Sequence, residues 1–290
     1  MHNYILFFTE KGRCYWLKVY DIPEGAKSSK GRAIQNILNI EADNRITASI
    51  TIKSLNDKEF TQSHSLIFCT ERGTIKKTSL EDYSRPRQNG INAINLVEGD
   101  RVVAVRLTNG ENEILVANSN GRAIRFNEST VRNMGRNATG VRAITLDDDG
   151  QDHVVGMIAI ENPEEETVMI VSEYGYGKRS DVEDYRITNR GGKGVKTIQI
   201  TEKTGKLISI QSVTNDNDLM IINKSGITLR LDVSTIRVMG RATQGVRLIN
   251  LEKRGDQIAS ICKVNSEEPE EVSEVESNEN QQVTTENSEA

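Results

Sequence analysis

Two glycines recur at a near-constant separation five times along this chain, and that repeat limits its architecture more than any other feature. Gly12, Gly73, Gly121, Gly175 and Gly226 sit inside "LFFTEKGRCYWLKV", "LIFCTERGTIKKTS", "ILVANSNGRAIRFN", "MIVSEYGYGKRSDV" and "MIINKSGITLRLDV". Gly31, Gly90, Gly140, Gly194 and Gly245 follow 19 residues later, or 17 in the second unit, in "SSKGRAIQNIL", "RQNGINAINL", "NATGVRAITL", "GGKGVKTIQI" and "ATQGVRLINL". Successive units are 48 to 61 residues apart. A self-similar unit of this length is one supersecondary structure that stacks on its copies to bury its faces.

Within each unit the pattern predicts a short antiparallel sheet. An apolar run, a turn with glycine at positive φ and a second strand bearing cations make a hairpin. The loop glycine then opens a G-V-R-x-I-x-L strand, in which alternation sets Val141, Ala143 and Thr145 opposite Arg142, Ile144 and Leu146. Prolines number only four, and no stretch sustains a helical period. Hydrophobic residues make up 36% and aromatics 4%, lean for one thick core and suited to several thin ones. The expected fold is all-β and propeller-like, with five blades over residues 1–265 and a disordered acidic tail over 266–290.

Charge is distributed unevenly. Residues 267–290 hold nine Glu and no Lys or Arg, so the rest of the chain has 37 basic against 33 acidic residues. A basic body with an acidic tail suggests an anionic partner and a segment able to compete with it. Cys14, Cys69 and Cys262 are far apart, odd in number and read as buried free thiols; His2, His64 and His153 have no second ligand at metal spacing. The run Tyr4–Phe8 is too short for a signal or a membrane span, which leads us to expect a cytoplasmic protein.

The stretch "ITNRGGKGVKT" raises a choice between a phosphate cradle and a grip on something larger. G-x-x-x-x-G-K-[ST] is absent, because Lys193 is followed by Gly194 and no helical pattern comes next. No nucleophile–base or paired-carboxylate arrangement repeats at a strand end, so no catalytic centre and no cofactor are expected in this chain. A lone cation on a strand reads as a solvated face, and the pair Lys76-Lys77 taken alone would have that reading. Cations repeated at equivalent places read as a band on one rim: Arg32, Lys76, Lys77, Arg85, Arg87, Arg136, Arg142, Arg190, Lys193, Lys196, Arg241 and Arg247. The turn glycines read as structural, and Met134 and Met239 as packing residues.

The segments "GRCYWLKVYDIPEGAKSSKGRAIQNIL", "GTIKKTSLEDYSRPRQNGINAINL", "VRNMGRNATGVRAITL", "YGKRSDVEDYRITNRGGKGVKTI" and "RVMGRATQGVRLINL" together resemble the C-terminal domain of the DNA gyrase A subunit, over nearly the whole chain. The resemblance implies a β-pinwheel, a propeller-like disc whose blades exchange strands, with duplex DNA wrapped around a basic rim. It implies two partners, the rest of the A subunit plus the B subunit, in an A2B2 holoenzyme. ATP and Mg would lie only on those other parts, and the setting would be bacterial and nucleoid-associated. Six blades are usual in the family, with a Q-R-R-G-G-K-G box in the first. Here Arg190, Gly191, Gly192, Lys193 and Gly194 reproduce its R-G-G-K-G part in the fourth unit, after Thr188-Asn189, whereas the first unit has Ser28-Ser29-Lys30-Gly31. The expectation is that the chain starts after the family's first blade and carries a box-like loop on another. Two alternatives stay open: the C-terminal domain of a topoisomerase IV A subunit, and a protein-interaction propeller docking an acidic partner.

Overall fold

Five small antiparallel sheets follow one another around an arc in the computed structural model, which describes residues 3–26, 29–148, 150–251 and 255–265. The segment assigned to the acidic tail lies outside the described residues.

Each blade begins as a tight hairpin: β1 (Tyr4–Thr9) with β2 (Arg13–Lys18), and β4 (Ser65–Thr70) with β5 (Thr74–Ser79). The same hairpin recurs as β8 (Glu113–Asn118) with β9 (Arg122–Asn127), β12 (Thr167–Ser172) with β13 (Tyr176–Asp181), and β16 (Asn217–Asn223) with β17 (Thr228–Asp232). The five turn glycines have φ between 77° and 86°, as the turn requires. A third strand pairs with the first on its inner side: β3 (Ile46–Ile52), β7 (Val102–Thr108), β11 (Val154–Ile160), β15 (Leu207–Val213) and β19 (Ile258–Asn265). These inner strands touch in sequence, β3 to β7 to β11 to β15 to β19, and so line the axis. Backbone hydrogen bonds lock successive blades there: Val102 N–H donates to Glu10, Val154 to Glu71, Leu207 to Ser119 and Ile258 to Glu173, at 2.8–3.0 Å.

The strand after the loop glycine does not stay with its own unit. Residues Ile91–Asn92 (β6) pair with β2, Val141–Arg142 (β10) with β5, Val195–Lys196 (β14) with β9, and Val246–Arg247 (β18) with β13. Units two to five thus each give an outermost strand to the blade before them, the strand exchange that the resemblance implied. These crossing strands are only two residues long. Strict alternation through Leu146 therefore fails: beyond Arg142 the chain turns inward and buries Ala143 and Ile144 together. One short helix, α1 (Lys58–Ser63), was not expected; Asp57 caps it by accepting from Phe60 N–H at 3.0 Å.

The cores lie between sheets, which is why β4, β8 and β12 are buried on both faces. Along β4, Leu66 and Phe68 pack toward blade 1 with Leu6 and Phe8, while Ile67 and Cys69 pack toward blade 3 with Ile114 and Val116. Leu115 and Ala117 then meet Val168 and Ile170, and Met169 and Val171 meet Leu219 and Ile221. Each such apolar side chain contributes roughly 1.5–3 kcal/mol by leaving water. Cys14 and Cys69 are buried free thiols as expected, but Cys262 is exposed, because β19 closes the last described blade and has no further sheet against its outer face.

The loop glycines fix the crossing. A Cβ on Gly194 would lie 2.4 Å from the Ala123 carbonyl oxygen, and one on Gly140 would lie 2.5 Å from that of Ile75. Gly194→Ala, at φ +71°, should therefore cost at least about 2 kcal/mol, strain plus a forced backbone shift. Gly31→Ala has the same backbone strain but nothing within 4 Å, and should cost about half as much. Urea unfolding of the two variants tests this, and equal losses would refute the close-approach explanation.

Candidate nucleic-acid interface

The return strand of each hairpin carries the cations that set the rim loops. Three residues past the turn glycine stand Tyr15, Lys76, Ile124, Lys178 and Leu229, and at the fourth position past it stand Trp16, Lys77, Arg125, Arg179 and Arg230. Neither Lys76 nor Lys77 is on the solvated surface expected of it. Lys76 is 0% exposed and Lys77 is 9% exposed, because the next unit's connection crosses over β5. Met134 N–H donates to the Lys77 carbonyl at 2.8 Å in that crossing, a packing position for Met134 as expected.

Lys76 Nζ donates to the carbonyls of Ala93 (2.5 Å), Gly135 (3.2 Å) and Arg136 (2.8 Å), so it ties one crossing strand to the following rim loop. Lys178 repeats the device on the Gly240 carbonyl at 2.6 Å. Fourth-position side chains reach the next unit's 3-10 turn. Trp16 Nε1 donates to Tyr83 O, Arg125 to Val182 O and Tyr185 O, and Arg179 to Val233 O, all at 2.8–3.0 Å. Lys77 Nζ instead sits 3.8 Å from the buried Glu128 carboxylate. These cations join blades and are not presented to a ligand.

Outside them runs a second set, nearer the surface. Arg136 Nη1 donates to the Asn92 carbonyl at 3.3 Å, Arg190 Nη1 to that of Arg142 at 3.1 Å, and Arg241 Nη1 to that of Lys196 at 2.8 Å. In each case the rim-loop arginine of one unit grips the crossing strand of the unit before it. The structure thereby brings Arg190 beside Arg142 and Arg241 beside Lys196, and orders guanidinium groups that remain only half-buried. Arg247 Cζ stands 5.5 Å from the ring centroid of Tyr176, and Lys193 lies exposed in its loop. Arg85 and Arg87 are exposed on the equivalent connection of the second unit. Arg32 is also exposed, but on a segment that pairs with no blade among the described residues.

The box-like loop now has a local explanation. Gly191 N–H donates to the Ala143 carbonyl at 2.6 Å, and Thr145 N–H donates back to Gly192 O at 2.9 Å. These bonds tie the loop to the neighbouring crossing strand and Gly194 presses on the Ala123 carbonyl of the hairpin, so the Gly191 amide is already occupied and does not cradle a phosphate. Tyr83 and Tyr185 are buried; the Tyr83 hydroxyl donates to Ala93 O at 3.1 Å.

Sequence reasoning missed other exposed cations. Arg132, Arg186 and Arg237 each follow the last apolar residue of a 3-10 turn by one position, a register that aligning Val131, Tyr185 and Ile236 would have exposed. Arg186 lines an acidic cleft with Glu113, Glu164, Glu165 and Glu183. Arg13 and Arg122 stand opposite Asn92 and Lys196 across the crossing pairs. Among the described residues no group of acidic, His or Cys side chains is placed to hold a metal, and no helix is long and apolar enough to cross a membrane.

Five successive antiparallel blades, four of them completed among the described residues by a strand from the following unit, define a β-propeller of the pinwheel type. The chain belongs to the DNA gyrase C-terminal domain, beta-propeller family, whose model matches residues 3–53, 64–109, 112–161, 166–214 and 217–264, one match per blade. The DNA gyrase A subunit of Staphylococcus epidermidis is 44% identical over 267 residues, covering 92% of this chain and 29% of the relative. That of Staphylococcus aureus is 44% identical over 286 residues, covering 98% and 31%. The chain therefore spans less than a third of these curated relatives. Among solved structures, the C-terminal domain of a DNA topoisomerase IV superposes with a TM-score of 0.80 at 26% identity, over 91% of this chain and 80% of that one. A DNA gyrase A C-terminal domain gives 0.75 at 23% identity, over 90% of this chain and 82% of that one, a likeness of fold.

Burial, helped by nearby Arg136 and opposed by Asp82, pulls the Lys76 ammonium down to about 7. Its folded pKa lies below its unfolded one, so as pH falls from about 10 the unfolded chain takes up the proton first. Stability should fall with pH through that interval and level off below about 7. Lys76→Met should flatten this dependence in denaturant unfolding at pH 7, 8 and 9. An unchanged slope would place the lysine's charge elsewhere than in the buried joint.

Proposed function

We propose that the chain binds and bends duplex DNA around its basic rim, without reading sequence, as the C-terminal part of a DNA gyrase A subunit. The observation that carries this reading is the repeated seating of Arg136, Arg190 and Arg241 on successive crossing strands. It sets cations at a regular step around a curved edge, and a curved phosphate backbone is the ligand that such a band fits. Phosphate contact needs no base edge, so binding is sequence-tolerant and driven by counterion release. Bending a 20–30 base-pair stretch costs about 1–6 kcal/mol, which many modest cationic contacts along the rim can offset.

In this reading the chain acts within an A2B2 assembly, beside the remainder of its own A subunit, and supports ATP-dependent negative supercoiling in the bacterial cytoplasm. Its own part is to hold and bend the duplex, while cleavage and ATP chemistry belong to the other parts. Supporting a gyrase over a topoisomerase IV origin is the 44% identity to gyrase A subunits across more than nine-tenths of the chain.

Binding to a duplex longer than about 30 base pairs should lose roughly a thousandfold in affinity between 50 and 200 mM salt if about six phosphates are neutralised. Replacing Arg142, Lys196 and Arg247 together by Ala should lower the log–log salt slope by about 3, near one for each phosphate no longer neutralised. Lys58→Ala on α1 should leave it unchanged. A fluorescence titration over that salt range checks both, and a slope that the triple variant does not alter would refute the rim assignment.

A further inference from the structure

We infer that the rim grips phosphate unevenly, and that its tightest site is the joint between the third and fourth blades, where Arg122 and Lys196 face each other and Arg241 closes on them. The inference rests on the proposed reading of the rim as a phosphate-binding surface and says where along it a duplex is held hardest.

The four crossing joints share one geometry and differ in charge. In each, a two-residue crossing strand sets its second residue directly across from the first residue of the preceding return strand. Asn92 stands against Arg13, Arg142 against Thr74, Lys196 against Arg122 and Arg247 against Tyr176. Three of these pairs oppose a cation to a neutral side chain. Two of those cations are further engaged, Arg13 Nη2 by the Asn89 carbonyl at 2.8 Å and Arg247 Nη2 by the Tyr176 hydroxyl at 3.0 Å. Among the described joints only the third sets cation against cation. Opposed side chains on an antiparallel pair have Cβ atoms about 4.5–5.5 Å apart, and like charges placed there destabilise the sheet.

The chain does not neutralise this pair. None of the ion pairs among the described residues includes Arg122, Lys196 or Arg241. Arg122 and Arg241 are half-buried and Lys196 is exposed. Arg122 Nη1 donates to the Gly194 carbonyl at 3.4 Å, and Arg241 Nη1 donates to the Lys196 carbonyl at 2.8 Å. Both guanidinium groups are thus drawn to one short strand, from the unit before it and the unit after it. Asp184 lies close by, but it accepts from the Arg241 main-chain N–H, at 3.2 Å, and not from the guanidinium. Three cations from three consecutive units meet here, against two, Arg142 and Arg190, at the joint before it.

An anion relieves such a pair. One strand of a duplex presents a charge every ~3.4 Å of helix axis, a density that brings phosphate to both facing cations at once. The two arginines add planar forks that hold paired phosphate oxygens.

A GC-rich duplex of about 10 base pairs tests the site. It is far shorter than the roughly 150-base-pair persistence length, so it meets the rim without being bent. In an anisotropy titration at 50 mM salt, Arg122→Gln combined with Lys196→Gln should weaken its binding by at least about tenfold. Arg142→Gln combined with Arg247→Gln removes the same charge from the flanking joints and should cost no more than about threefold. Equal losses for the two pairs, or no binding of this duplex by the unaltered chain, would overturn the inference. Stability separates the site from a merely structural role. Each single Gln variant at 122 or 196 should raise the urea midpoint at 50 mM salt, because a repulsion is removed, and the gain should vanish near 1 M salt. A lowered or unchanged midpoint at 50 mM would also overturn it. The proposed function fails separately. A chain that holds the short duplex at this joint yet bends no long one would refute bending and keep the site. Bending of a long duplex with equal losses for the two pairs would do the reverse.

Discussion

The seat of each crossing strand on the preceding blade is the contact on which the rest of this molecule depends. It requires a loop glycine pressed to within 2.4–2.7 Å, measured from a would-be Cβ, of a backbone carbonyl in the hairpin. No other residue type allows the two backbones that close. Once seated, the strand delivers an isoleucine over the hairpin turn and starts the path by which the next rim loop runs back across the return strand. Register, core and rim are set together, so an error at one glycine would propagate to both neighbouring blades.

Charge divides along the same line. Cations on the return strand are covered by the next unit and direct their donors to carbonyls between blades, as Lys76 and Lys178 do. Those on the crossing strand and rim loop stay nearer the surface, with at least one guanidinium hydrogen bond to fix the direction of Arg136, Arg190 and Arg241. An exposed, pre-oriented cation gives up little rotamer freedom on meeting a phosphate. The buried set contributes to the joint that aligns the exposed set, and that is the link between fold and proposed function.

Much of this was legible in the residues, because a repeat reports its own register. The paired glycines at 12 and 31, 73 and 90, and onward, revealed five units, their hairpins and their turns before any coordinate. Which blade a crossing strand joins was not legible from spacing, since "GVRAITL" reads equally as the last strand of its own sheet. Only a close match to a known family implied the exchange. The same ambiguity explains the misplaced lysines. Lys76 and Lys77 look like a solvated pair on an alternating strand until another unit covers that strand. Arg132, Arg186 and Arg237 escaped notice because they lie between recognisable strands, where a repeat is read least easily.

Bending of a long duplex tests the proposed function most directly, because it separates a wrapping rim from a basic surface that merely docks an acidic protein. A duplex of about 100 base pairs, shorter than the roughly 150-base-pair persistence length, is nearly straight when free. With donor and acceptor dyes at its ends, energy transfer should rise steeply on adding the chain at 50 mM salt and fall again as salt is raised. Tight binding with no change in end-to-end distance would contradict wrapping and leave the rim as a docking surface alone.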